Sequence, residues 1–240
     1  MELRGPHSFA LVAMIVFMAG GLCAEEIDFE DLVHGEEVDT QYQSSHGVTF
    51  SADNQGGGPD ALAIFDTTET DTADPDLEGP PNTDWEGGNL APDTEAGNVF
   101  IIQENSTDDN NDGIFDNPDD QAGGGVITVE FDQQLLDFGF NFIDSEEVGE
   151  MAFLQGSTEI EVIDFAAFTD PTSQWYDSTI EYGDHYANEM PTVTSNELGS
   201  TFDIVEFRLT GSGGFDLIRF TPVPEPSSAL FLILACLSAL

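Results

Sequence analysis

Hydrophobic and polar positions alternate with period two along much of the chain, and no long stretch repeats with the helical period. In VITVEF (126–131), Ile127, Val129 and Phe131 fall on one face. In LDFGFNF (136–142), Leu136, Phe138, Phe140 and Phe142 share a face, with Asp137, Gly139 and Asn141 opposite. Successive side chains of a strand point to opposite sides, so this alternation predicts half-buried strands. GVTFSA (47–52), MAFLQ (151–155), EIEVIDF (159–165), IVEFRL (204–209) and FDLIRF (215–220) read as further strands. ALAIFD (61–66) and NVFIIQ (98–103) join them with more continuous apolar runs. Gly, Asn and Asp fill most of the gaps, which is turn chemistry. Many short strands joined by polar turns predict an all-β fold, a β-sandwich or jelly roll.

Two long polar regions interrupt the pattern. Residues 67–97 are rich in Gly, Pro, Asp and Thr, and residues 104–125 are richer still in Asp and Gly. Loops of that length without regular structure are usually functional or disordered. Composition argues for a folded body around them. Hydrophobic residues make up 40% of the 240-residue chain, with 19 Phe, which is enough to build a core.

Charge changes the picture most. There are 48 Asp and Glu against Arg4, Arg208 and Arg219, no Lys, and a net charge of −45. Nucleic acid is excluded as a partner, because phosphates need clustered cations. Anionic lipid surfaces are disfavoured for the same reason. Such self-repulsion is offset by high salt or by divalent ions bound to carboxylates. Where neither acts, an acid surface simply keeps an exported protein soluble.

DDNNDGIFDNPD (108–119) has the spacing of a calcium loop. Asp108, Asn110 and Asp112 take positions one, three and five, and Gly113 takes the sharp turn at six. The Ile114 carbonyl, Asp116 and Asp119 take seven, nine and twelve. A hard cation wants six to eight oxygens at about 2.4 Å, and alternate short carboxylates supply them. The other reading is a solvated Asp/Asn-rich turn. The loop is similar to those of thrombospondin type 3 repeats, which implies calcium. It differs from an EF-hand in ending on Asp and lacking flanking helices. A second candidate ion site combines Asp71, Asp74 and Asp76 of DTADPDLEG (71–79) with Asp66 or Glu104, against a solvated loop as the alternative.

Trp85, Trp175, Tyr176, Tyr182 and Tyr186 sit in polar surroundings, densest in QWYDSTIEYGDHY (174–186). Exposed aromatic faces can stack on sugars, giving a carbohydrate-binding candidate at Trp175, Tyr176, Tyr182 and Tyr186. The same residues can instead plug the rim of a sandwich. Catalysis has no motif. His7, His34, His46 and His185 lack zinc spacing, there is no G-x-S-x-G or P-loop, and both cysteines, Cys23 and Cys236, lie in terminal apolar segments. A body without cysteine has no disulfide framework. Glu146-Glu147 reads as a charged turn.

The two ends read as addresses. Arg4, the apolar run FALVAMIVFMAGGLCA (9–24) and then Glu25-Glu26 have the layout of a secretory signal peptide, with cleavage expected after Ala24. At the other end, Pro224-Glu225-Pro226 precedes the apolar stub 229–240. The stub is shorter than the roughly 20 residues that span a bilayer. This end resembles the PEP-CTERM sorting signal of bacterial surface proteins. The resemblance implies transient inner-membrane anchoring and processing by an exosortase. The family's basic end does not follow here, so the signal is expected to be either truncated or degenerate. IDFEDLVHGEEVDTQYQSSHGVTFS (27–51) and later stretches to about residue 147 are similar to bacterial secreted β-sandwich proteins.

The expected layout is a signal peptide (1–24), a β-sandwich ectodomain (25–221) and a sorting segment (222–240). The expected role is a non-enzymatic, calcium-stabilised protein of the surface or extracellular matrix, associated with exopolysaccharide. A lectin-like module and a secreted glycan hydrolase using paired carboxylates stand as alternatives.

Overall fold

The computed structural model describes residues 23–145 and 149–224. Cys23–Val223 form one compact unit. It is all-β, an antiparallel sheet curled as a half-barrel in the manner of a sandwich. Eleven strands are present among the described residues: β1 (Glu25–Ile27), β2 (Val48–Asn54), β3 (Leu62–Asp66), β4 (Asn98–Ile102), β5 (Gly125–Ile143) and β6 (Gly149–Gln155). The remainder are β7 (Thr158–Asp164), β8 (Ala187–Glu189), β9 (Val193–Thr194), β10 (Phe202–Leu209) and β11 (Gly214–Pro222).

All nine stretches expected to be strands are strands, but 126–131 and 136–142 are halves of one. β5 runs 19 residues. Its first half pairs with β2 on one side and β10 on the other; its second half pairs with β11 and with β8 and β9. Three consecutive exposed residues, Asp132 to Gln134, mark the passage between the two neighbourhoods. The inward set changes phase there, from Ile127, Val129 and Phe131 to Phe138, Phe140 and Phe142. The β10 register slips at the same place, between Phe202 and Ile204. An extra stretch on one strand bends it, which lets one strand serve both layers. Leu135 is buried here and Leu136 only half-buried, because the slip moves the alternation by one residue.

The core is built of phenylalanine. Phe215 lies 4.3 Å from Phe207 and 4.8 Å from Phe142, ring centre to ring centre, the second pair within 9° of parallel. Phe100 and Phe140 close the same cluster at 5.6 and 5.7 Å.

A second apolar cluster explains why β3 and β4 have lost their alternation. Leu62, Ile64, Phe100 and Ile102 face the main core, while Ala63, Phe65, Val99 and Ile101 face outward. The long polar region 67–97 folds over that outer face and lays Leu77 and Trp85 on it. A strand buried on both faces reads as a continuous apolar run.

Candidate metal centre

The site begins with a buried side chain at the end of β4. Gln103 is fully buried, and its amide nitrogen donates to the carbonyls of Asn105 (2.8 Å) and Asn117 (3.3 Å). Its amide oxygen accepts from the Asp119 N–H at 3.2 Å. Glu104 N–H donates to the Asp119 carbonyl at 2.9 Å, and Gln121 N–H to that of Ile102 at 2.9 Å. The second long loop is therefore fastened along the chain that leaves β4, and its acids Asp119 and Asp120 are held in place.

Asp74 arrives from the first long loop. It precedes a short 3-10 turn, Pro75–Leu77, whose Leu77 is anchored in the outer apolar cluster. Proline at the start of such a turn needs no N–H partner there. The Asp120 N–H donates to Asp74 Oδ2 at 3.4 Å, and the Gly213 N–H to Asp120 Oδ2 at 2.5 Å. One carboxylate oxygen from each of Asp74, Asp119 and Asp120 lies within 4.8 Å of the other two. Asp74 and Asp120 are buried and Asp119 half-buried.

Three acids this close repel one another's charge. Burial raises the Asp119 carboxyl to about 6, with Glu104 and Asp74 adding to the effect. Burial also raises Asp120 far above the carboxylate range, followed by Asp74 and, more weakly, Asp144; the Gly213 amide pulls the other way. Neither described arginine ion-pairs with the cluster: Arg208 holds Glu150, Glu159 and Glu206, and Arg219 holds Glu189. Oxygens bound to one ion at about 2.4 Å lie no more than ~4.8 Å apart, so the triad can hold a metal ion.

The residues expected at the calcium loop are only partly gathered. Asp108 accepts from the N–H groups of Asp112 (3.2 Å) and Gly113 (3.1 Å). Asn110 accepts from Asp112 N–H at 2.9 Å, and Asp112 from Ile114 N–H at 3.0 Å. Asp116 accepts from Asp109 N–H at 2.6 Å. These side chains fold the turn on its own amides. Asp119 stands with Asp74 and Asp120, the one such acid triple among the described residues. Of the second candidate set, Asp74 joins that triad and Glu104 acts on it through charge. Asp66 instead accepts from the N–H and hydroxyl of Thr68 (2.8 and 2.7 Å), and Asp76 is exposed. The expectation thus divided its ligands between two sites, and the fold joins one from each. Asp120 was in neither set. Its signal is the Asp119-Asp120 doublet beside a Gly run, which carries no spacing to Asp74.

Most of the aromatic candidates turn inward. Trp85 is buried, and its indole N–H donates to the Thr94 carbonyl at 2.8 Å. Trp175 and Tyr182 pack against the main core, and the Tyr182 hydroxyl donates to the Phe165 carbonyl at 3.0 Å. Tyr186 is half-buried over Gly87, where a Cβ would meet its ring at 2.3 Å. Tyr176 is exposed. Pro224 is exposed at the end of the described chain. Glu225, Pro226, the apolar stub, Glu146-Glu147 and the signal-like run up to Leu22 lie outside the described residues.

No family model matches the chain, and no curated protein matches it.

Proposed function

We propose that this is an exported, non-enzymatic protein of the bacterial surface or extracellular matrix, whose β-sandwich is steadied by calcium. The triad of Asp74, Asp119 and Asp120 carries this reading. It brings together the two long acidic loops and, through Gly213, the turn between β10 and β11. All its donors are oxygens, which favours a hard cation over zinc or copper. Calcium accepts irregular oxygen sets more readily than magnesium, which demands a near-ideal octahedron. The loop from Asp108 to Asp116 offers a second place for an ion, through Asp108, Asn110, Asp112, the Ile114 carbonyl and Asp116.

Export rests on the sequence. The signal-like N-terminus and the Pro224-Glu225-Pro226 segment support secretion, exosortase processing and transient anchoring at the inner membrane. A net charge of −45 suits a polysaccharide-rich, ion-rich matrix better than a nucleic-acid or lipid surface.

Calorimetric titration of the chelator-treated protein with calcium tests the binding. At least one saturable site should appear, and Asp120→Asn or Asp74→Asn should abolish it. Asp112→Ala with Asp116→Ala should leave it intact. No saturable binding, or loss only in the loop double variant, would remove the triad from the account.

A further inference from the structure

The first long loop crosses the outer face of β3 and β4 as a strap fastened unevenly along its length. Its second half is stitched to β8. The Leu90 N–H donates to the Ala187 carbonyl at 3.1 Å, the Asn89 N–H to Asn188 Oδ1 at 3.1 Å, and the Glu189 N–H to Asn89 Oδ1 at 2.7 Å. Just before them, the Glu86 N–H donates to the His185 carbonyl at 3.0 Å. The first half, residues 69–84, contains no strand. Among the described residues, its hydrogen bonds to the body run through two places. The Asp74 carboxylate accepts from the Asp120 N–H at 3.4 Å, and the Glu78 carbonyl is bonded to His185 Nε2 at 2.8 Å.

Beneath this half lie Ala63, Phe65, Val99 and Ile101, with Leu77 and Trp85 packed into the same outer cluster. The Trp85 ring sits against Gly79, where a Cβ would meet it at 2.4 Å, and 5.1 Å from the His185 ring. Two features favour release of this half. It carries six acids, Glu69, Asp71, Asp74, Asp76, Glu78 and Asp84, and no Lys, Arg or His, and it meets a second acidic loop at Asp119 and Asp120. At its foot, the Thr67 hydroxyl is buried without a hydrogen-bond partner, a cost that water relieves when the half lifts.

We propose that residues 69–84 form a calcium-latched lid, which in the absence of the ion lifts from the outer face of β3 and β4 while the rest of the sandwich stays folded. This deepens the calcium reading and rests on it. Asp74 is the lid's contribution to the triad, whereas Asp119 and Asp120 belong to the loop fastened to the end of β4 through Gln103 and Glu104. An ion between them therefore spans the movable part and the fixed part. Leu77 follows Asp74 within the same short turn, so drawing Asp74 in seats Leu77 in the outer cluster. With the latch empty, the acids repel across the same gap. Segments with few apolar anchors are the ones that open below the cost of global unfolding. An ion that binds only the closed lid shifts the opening equilibrium about a hundredfold at a hundredfold excess over Kd.

The chain's two tryptophans make the test, since Trp85 lies in the outer cluster and Trp175 packs on the main core. Trp175→Phe leaves Trp85 to report on the lid, and Trp85→Phe leaves Trp175 to report on the body. Acrylamide quenching of each is read well below the Tm, in chelator and in calcium at fixed ionic strength. In chelator Trp85 should be quenched several-fold more strongly than in calcium, with Trp175 and the far-UV circular dichroism unchanged. Asp74→Asn should remove the calcium response of Trp85. Hydrogen exchange of the unsubstituted chain gives a second readout: in chelator, peptides from 69–84 should exchange faster than those of β5 and β10, and calcium should slow them. Saturable calcium binding by calorimetry with no change at Trp85 or in 69–84, or a change shared equally by both tryptophans, would overturn the lid and leave the calcium site standing. Absence of saturable calcium binding would overturn both.

Discussion

Asp216 shows how one side chain sets a pH dependence. An acid with a raised folded pKa keeps its proton longer folded than unfolded. Its stabilising effect is complete below the unfolded value of about 4 and is lost as pH rises through about 8. Asp216→Asn removes that loss. Its Tm should exceed the parent's by at least about 4 °C near pH 9, the gap closing toward pH 4. A gap independent of pH would show that the carboxyl does not titrate in the fold. Nothing in the sequence around FDLIRF marks Asp216. It sits among alternating residues on the face opposite Phe215, in register with Asn141, and the alternation does not tell that this face too is covered. The local Asp/Asn turn at 108–116 was legible because its bonds join neighbours. The triad was not, because Asp74 and Asp120 are 46 residues apart and meet only once both loops have folded.

At the scale of elements, the alternation of apolar and polar residues sufficed to place the main strands. It failed where an element has partners that alternation cannot express. β5 changes phase at Asp132 to Gln134 and so looked like two strands. β1, β8 and β9 are two or three residues long and exist only because a longer neighbour pairs with them. The first long loop read as a polar segment, functional or disordered, yet it carries the apolar lid of β3 and β4. Trp85→Ala should therefore cost about 3–5 kcal/mol and speed proteolysis between residues 67 and 97 in particular. Phe215→Ala, at the centre of the aromatic cluster, should cost a similar amount without that selective cleavage. Equal cleavage patterns in the two variants would mean that the loop is not held by its tryptophan. Urea melts and mass-mapped limited proteolysis read both effects.

For the whole molecule, charge is the dominant constraint. A net charge of −45 with two described arginines, one holding three glutamates, leaves most acids without cations. Raising sodium chloride from about 0.01 to 1 M shortens the Debye length from roughly 30 to 3 Å. Tm should climb across that range, chiefly through screening of exposed acids. A flat or falling curve would mean that general repulsion is not what burdens the fold. Screening acts on every surface acid alike, whereas bound calcium acts at named residues. The two contributions separate when ionic strength is held constant.

The most direct measurement is the Tm of the chelator-treated protein and of its Asp120→Asn variant across a calcium series at fixed ionic strength. Binding to the folded state alone contributes about 2.7 kcal/mol at a hundredfold excess over Kd, or ~5–10 °C for a domain of this size. The parent should gain that shift, with magnesium giving less, and Asp120→Asn should gain almost none. Equal shifts in parent and variant, or none in either, would contradict a calcium-steadied sandwich.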